Sequence, residues 1–262
     1  MVTQRMDSIP LYSWTDKPNF GDALSKVVVE WVAKRPVRAA HSEEQGKLLA
    51  IGSVLHQARD NDVVWGTGIH PRHHQRQGLE TAWKQGPPKN LDVRATRGPI
   101  TREFLLENGI RCPRTYGDPA ILVPLMHPLK ERRTRDVGII PHLYDQGLFE
   151  GQRIIDVRKP WHEVVASIVE CKKIVSSSLH GIIVAEAYGI PAVWTRLTEH
   201  EGVIKFLDYY HGTGRSAHPA YGIAEALRQP PEPLPTSGTK ALLRSFPGHL
   251  RRDLRNMPVT FA

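Results

Sequence analysis

The sequence predicts an α/β protein made of two Rossmann-like halves facing each other across a cleft. Three observations carry that expectation. Short apolar runs alternate with helical patterns, which argues for parallel strands covered by helices. Tight, Gly-bearing turns follow several of the strands. The alternation also breaks at the polar, charged, Pro-containing stretch His127–Asp136 and then restarts, as an interdomain linker would have it. The halves are therefore expected at 1–127 and 137–262.

Taken in order, Ile9–Trp14 reads as a strand, followed by a Gly turn and a helix from about Asp22 to Lys34. Lys47–Leu55 and Asp62–Ile69 are strand-like, the second ending in Gly66-Thr67-Gly68. Leu91–Arg97 is another strand. Pro99–Asn108 is a helix with Pro in its first position and Gly109 past its end, the asymmetry that helix ends favour. In the second half, Val137–Pro141 and Ile154–Val157 read as strands and Trp161–Cys171 as a helix. Strand Lys173–Ser177, helix Gly181–Tyr188 and strand Ala192–Thr195 complete the pattern. The Pro-rich Gln229–Gly238 is a second, extended break.

The composition is that of an ordinary soluble domain: 262 residues, 40% hydrophobic and 24% charged. No apolar run approaches the roughly 20 residues that span a bilayer, and the N-terminus lacks a charged-then-apolar signal pattern. Cys112 and Cys171 have neither metal nor disulfide spacing, so a reducing, cytoplasmic setting is expected. A net charge of +8 favours anionic partners. No nucleic-acid motif accompanies it, so an anionic metabolite or a membrane surface is expected and nucleic acid is not.

Several motifs bear chemistry, each with a plainer alternative. In Lys17–Val32, Asn19 and Asp22 stand where an open α/β sheet binds ligands, beyond the end of the first strand; the alternative is that Asp22 caps the helix. Arg94, Arg97 and Gly98 come to a strand end before a helix, where an anion is favoured and arginine adds a bidentate fork. The alternative is a solvated arginine. Asp118, ahead of Pro119, reads as turn chemistry. Ser176-Ser177-Ser178-Leu179-His180-Gly181 collects hydroxyls, an imidazole and free N–H groups at one strand end, which suits phosphate. Its alternative is a helix cap with a packed histidine, and it has no Gly-x-Ser-x-Gly elbow for a hydrolase nucleophile. Asp208–Arg215 (DYYHGTGR) reads as a polar loop whose Tyr210 and His211 suit a sugar ring. His70, His73 and His74 lack metal-site spacing and carboxylates, so no metal is expected.

Together these motifs resemble the polysaccharide pyruvyl transferase family. The resemblance rests on Asn19-Phe20-Gly21-Asp22, on Arg97-Gly98 with Gly117-Asp118-Pro119, and on Ser176–Gly181 followed by Ala185–Pro191. It runs over roughly residues 10–215 and is most like the bacterial exopolysaccharide, ketal-forming branch. It implies a GT-B-like fold and transfer of pyruvate from phosphoenolpyruvate onto a sugar of a lipid-linked repeat unit, with no cofactor or metal. The first half is then the acceptor side and the second holds the donor. Asp22 is the expected base and His180 the expected acid and phosphate ligand. Arg94, Arg97, Ser176, Ser177, Ser178, Gly181 and Arg215 would bind the donor; Asn19, Asp22, Gly68, Tyr210 and His211 would bind the acceptor. Ser178 stands where the family motif often has arginine, so the donor's cation must come from elsewhere. The basic, Leu-bearing stretch Gly238–Met257 is an expected contact with an anionic inner-membrane surface, the alternative being a helix packed back on the domains. A nucleotide-sugar glycosyltransferase is the competing enzyme class, and a glycan-binding module without turnover the third.

Overall fold

A computed structural model describes residues 8–70, 83, 86–130, 132–199, 202–216, 218–235 and 238–251. The expected metal-poor cluster at His73 and His74 lies outside the described residues, as does Leu254.

Two parallel sheets are present, one in each half. The first has β1 (Ile9–Tyr12), β2 (Val37–Ala39), β3 (Leu48–Leu49), β4 (Val63–Trp65) and β5 (Asp92–Ala95) in the order β2-β1-β3-β4-β5. The second has β6 (Arg135–Ile140), β7 (Cys171–Ser176), β8 (Ala192–Arg196) and β9 (Ala220–Tyr221), side by side in chain order. All the pairings are parallel. In the first sheet the order reverses between β1 and β3, and such a switch point opens a crevice at the carboxyl ends of the strands.

Helix α1 (Phe20–Ala33) fills that crevice's near wall. Phe20, Leu24 and Val28 recur every fourth residue, giving one apolar stripe against the sheet. Asn19, not Asp22, is its cap: the Asn19 side chain accepts from the Gly21 amide at 3.2 Å. The alternative in which Asp22 caps the helix is thereby set aside, and Asp22 lies in the first turn, where the helix dipole favours an acid. Helices α2 (Pro99–Glu107) and α3 (Val123–Met126) complete the first half, and α4 (Trp161–Val169), α5 (Leu179–Ala187), α6 (Ile204–Gly212) and α7 (Ile223–Arg228) the second; α8 (Thr239–Ser245) follows.

Three expectations differ from what is seen. Ile154–Val157 is no strand; Ile155 and Val157 are buried beside β6, with the Ile155 amide bonded to Ile139 O at 2.8 Å but no ladder beyond it. Asp208–Gly212 is not a loop but the end of α6, because Phe206, Tyr209 and Tyr210 fall on one helical face and are all buried. Finally, α8 belongs spatially to the first half. The Trp65 indole donates to Leu242 O at 3.0 Å and its ring meets Phe246 edge-on at 4.8 Å. Leu242 and Phe246 are spent in the core, so they are not a bilayer-facing stripe. Pro247 follows the end of α8, where its ring prevents the helix from continuing. Among the described residues no helix is long and apolar enough to cross a membrane.

The halves are joined by buried contacts, and one apolar cluster includes Leu11 and Phe20 from the first and Ile140, Ile182 and Tyr210 from the second. Asp208 on α6 anchors the joint. One of its oxygens accepts from the Thr101 amide at 3.0 Å, the other from Thr101 Oγ1 at 2.6 Å, and Arg97 Nε lies 3.3 Å away. Asp208 and Arg97 are both almost fully buried. Breaking a buried pair by deleting one partner strands the other charge, so Asp208→Ala should cost about 3–5 kcal/mol. A denaturant titration showing less than about 1 kcal/mol would deny Asp208 that role.

Candidate active site

The carboxyl ends of strands from both sheets converge. From the first half come the β1–α1 turn with Asn19 and Asp22, the Gly52-Ser53 turn after β3, and Asp118. From the second come His142 after β6, His180 in the first turn of α5, and Lys205 on α6. Asn19 Nδ2 donates to Asp22 Oδ2 at 2.8 Å. Gly52 leaves room for the other Asp22 oxygen, which would stand 3.3 Å from a Cβ there.

His180 lies directly against the backbone of α1. A Cβ on Gly21 would fall 2.1 Å from His180 Nδ1, so only glycine permits the approach. The Phe20 ring meets the imidazole edge-on at 6.5 Å. On the far side, His180 Nε2 faces Asp118 Oδ2 at 3.7 Å. Both atoms are buried and neither has a hydrogen-bond partner among the described residues. Asp118 also performs the turn role, since its Oδ1 accepts from the Ala120 amide at 3.0 Å. One carboxylate thus shapes the turn with one oxygen and presents the other to the imidazole.

Electrostatics single out two groups. Burial lifts the Asp22 carboxyl to about 6, against the opposing pull of His180 and Lys205 and of the bond from Asn19, with Asp118 adding to the rise. A carboxylate poised near neutrality suits proton transfer. His142 is pushed down to about 2 by burial, then by the charges of Lys205 and His180, so it is a neutral imidazole at pH 7. Its Nδ1 accepts from the Tyr144 amide at 3.3 Å, which leaves the proton on Nε2.

The expected donor residues divide. Ser176 Oγ shares its one proton between Ile140 O at the end of β6 and Ser178 O at the start of α5, and Ser177 Oγ donates to Asp145 Oδ2 at 2.6 Å while accepting from the His142 amide at 2.8 Å. Their hydroxyls therefore hold the site's frame. Ser178 is the cap residue of α5 but makes no side-chain cap bond, and Gly181 packs under the helix against Ser176 and Ile140. The first-turn amides of α5 have no intrahelical acceptor and carry the positive end of the helix dipole.

None of the three arginines is a free clamp. Arg97 lies over Gly68 and donates to Ser53 Oγ at 2.8 Å and Ile69 O at 3.3 Å, besides pairing with Asp208. Gly68 is accordingly a seat for Arg97 rather than for a sugar. Arg215 grips both oxygens of buried Glu186 at 2.8 Å and stacks over Tyr210 at 4.8 Å. Arg94 pairs with Asp92 on the edge of the first sheet and lines a different groove. Tyr210 is fully buried, so its ring offers no face to a sugar, and His211 is exposed on the last turn of α6. The long-chain cation that acts on both Asp22 and His142, alongside His180, is Lys205 instead.

Lys205 and His142 escaped the sequence reading. His142 was detectable as the residue beyond a predicted strand end, but nothing local marks Lys205. At the rim, exposed Tyr144 from the second half lies under the ammonium of Lys17 from the first, 5.0 Å from the ring centre.

A profile of the family described as polysaccharide pyruvyl transferase matches residues 19–196, well over half of the chain, from Asn19 at the cap of α1 to Arg196 at the end of β8. The chain belongs to the polysaccharide pyruvyl transferase family. Among its relatives, the uncharacterized protein L143 of Acanthamoeba polyphaga mimivirus is 28% identical over 73% of this chain and 69% of its own length. The succinoglycan biosynthesis protein ExoV of Rhizobium meliloti (strain 1021) is 27% identical over 75% of this chain and 61% of its own. Among solved structures, the uncharacterized protein KP1_0663 of Klebsiella pneumoniae subsp. pneumoniae NTUH-K2044 superposes with a TM-score of 0.48 at 11% identity, covering 82% of this chain and 93% of that one. Asn19, Asp22, Asp118, His142 and His180 fall inside the matched span, and Lys17 and Lys205 outside it.

Proposed function

We propose that the protein moves pyruvate from phosphoenolpyruvate onto two hydroxyls of a sugar in a lipid-linked exopolysaccharide repeat unit, releasing phosphate and leaving a cyclic ketal. The observation that carries this reading is the pairing of acid–base groups from two halves: Asp22, lifted to about 6, beside His180, which faces Asp118.

Proton addition to C3 of the enol makes its methyl group and leaves C2 electron-poor. His180 is the donor of that proton. One sugar hydroxyl forms a C–O bond to C2 as Asp22 takes its proton. The C2–phosphate bond then breaks, phosphate departing with the proton held by Asp22. The second hydroxyl closes the ring on C2 and returns its proton to His180. Every proton is accounted for and no metal or cofactor is required. The α5 amides and Lys205 are the anion partners for the donor, in place of the expected arginines. The acceptor comes to the face of Asn19 and Asp22, at an anionic membrane surface where its lipid is held.

The rim supplies a sugar platform: the open face of Tyr144 packs on C–H bonds, and the ammonium of Lys17 holds a hydroxyl. Tyr144→Ala should raise the acceptor KM about tenfold with little change in donor KM, whereas Tyr144→Trp retains it. An unchanged acceptor KM in the alanine variant would remove the platform.

The reading as a whole is tested by phosphate release and by thermal shift. Phosphoenolpyruvate at 100 times its Kd should stabilise the fold by about 2.7 kcal/mol. Stabilisation by a nucleotide-sugar and none by phosphoenolpyruvate would favour the glycosyltransferase instead.

A further inference from the structure

A groove of about 930 Å³ runs along the open edge of β5, between the segment after α2 and the segment after α8. It lies beside the sheet, not at the strand ends, and shares no residue with the candidate active site. Its lining combines two chemistries. Leu91, Val93, Leu106 and Phe246 form an apolar floor and wall, and Leu106 is 43% exposed there. Around them stand four arginines, Arg94, Arg111, Arg244 and Arg251, against one acid, Asp92.

That acid is already spent on Arg94 at 2.6 Å. Arg111 and Arg244 are exposed and make no ion pair among the described residues. Arg251 is held over the Phe246 ring and bonded to Leu243 O, with a buried Nε that has no acceptor among the described residues. Guanidinium groups gathered within a Debye length repel one another, and an anion between them removes that cost. Their planar forks match phosphate oxygens two at a time.

We infer that this groove binds one molecule of a lipid phosphate or diphosphate, its head among Arg111, Arg244 and Arg251 and its hydrocarbon chain along Leu91, Val93 and Leu106. The arginines without an acid favour an anion, and exposed Leu106 beside partly buried Leu91 favours a chain. A nucleotide is disfavoured because Phe246, the aromatic in the lining, is 3% exposed and offers no face for a base. A flat bilayer is disfavoured because the surface is concave. The sequence pattern that suggested a membrane-lying stripe thus splits: Leu242 and Phe246 go into the core, and Arg244 and Arg251 go to the groove. The inference does not rest on the pyruvyl reading and survives that reading's failure.

Farnesyl diphosphate is a soluble probe of this chemistry, measured by titration calorimetry on the whole chain. Inorganic pyrophosphate tests the head alone, farnesol the chain alone, and phosphatidylglycerol vesicles the bilayer surface. Saturable one-site binding of farnesyl diphosphate is expected, at least about tenfold tighter than pyrophosphate, since each buried CH₂ contributes about 0.8 kcal/mol. The double variant Arg111→Ser, Arg244→Ser should weaken it at least tenfold with the melting temperature unchanged. Leu106→Glu, on an exposed helix face, should do likewise and covers the case in which the double variant fails to fold. The inference is overturned if the probe does not saturate, if pyrophosphate binds as tightly, if either folded variant binds normally, or if vesicles alone are bound.

Discussion

His180→Gln should lose pyruvyl transfer by about 10²–10⁴-fold or more, because the same side chain donates the proton to C3 and helps hold the donor anion. Glutamine keeps a donor at similar reach but cannot carry an exchangeable proton through the cycle. The fold should survive at a small cost. The imidazole is mostly covered, wedged between Gly21 and Asp118, so its loss should lower stability by about 1 kcal/mol rather than leave it untouched. Phosphate release and a melting curve on the same preparation decide the matter. Near-normal release from a folded His180→Gln enzyme would exclude His180 from the chemistry and leave it a packing residue between the halves. Asp118→Asn is the companion variant: its Oδ1 bond to Ala120 is kept while the charge facing Nε2 is lost, so transfer should fall without the turn failing.

Asp22→Asn separates chemistry from structure in the opposite direction, for activity and stability should part company. Asparagine cannot take the proton of a sugar hydroxyl, so transfer should drop about 10²-fold or more. Stability at pH 7 should hold or rise. The Asp22 carboxyl is raised in the folded state from 3.8 to about 6 by burial, so its protonated form is the one that the fold prefers. That contribution is fully present below pH 3.8 and is lost as the pH climbs through about 6; at neutral pH the ionised carboxylate costs at most about 3 kcal/mol, which Asn does not pay in charge. Wild-type activity has the reverse slope, falling as the pH drops through about 6 because the base becomes protonated. The acid limb of the rate profile should therefore vanish from the residual activity of Asp22→Asn. Wild-type phosphate release by Asp22→Asn, or an acid limb that persists in it, would move the base elsewhere.

Much of the chain's plan is readable one residue at a time. The strand–helix alternation, the Pro99 start of α2 and the strand ending in Ser176 depend on periodicity and on turn chemistry, which are local. So does the identity of the polar residues at strand ends, which is why Asn19, Asp22 and His180 are candidates from the sequence alone, whereas Asp118 reads there only as turn chemistry. Where local pattern and packing competed, packing prevailed. Ile154–Val157 has the composition of a strand but finds a buried position with no ladder to join, and the polar look of DYYHGTGR concealed a helix whose tyrosines point inward.

The charge pairings that decide the site were beyond local reach. An arginine's partner is set by three-dimensional neighbours: Arg97 meets Asp208 and Arg215 meets Glu186 only because α6 and α5 dock as they do, and those pairings withdraw both arginines from ligand duty. The same docking brings Lys205 to Asp22 across a long separation in sequence, a cation with no motif around it. It also decides what each group is worth, since the rise of Asp22 toward neutrality comes first from burial, which exists only once both halves have closed over it. Residue types and their spacing thus named the chemistry; the free-energy cost of burying charge, met or unmet by a distant partner, decided which residues remain available to perform it.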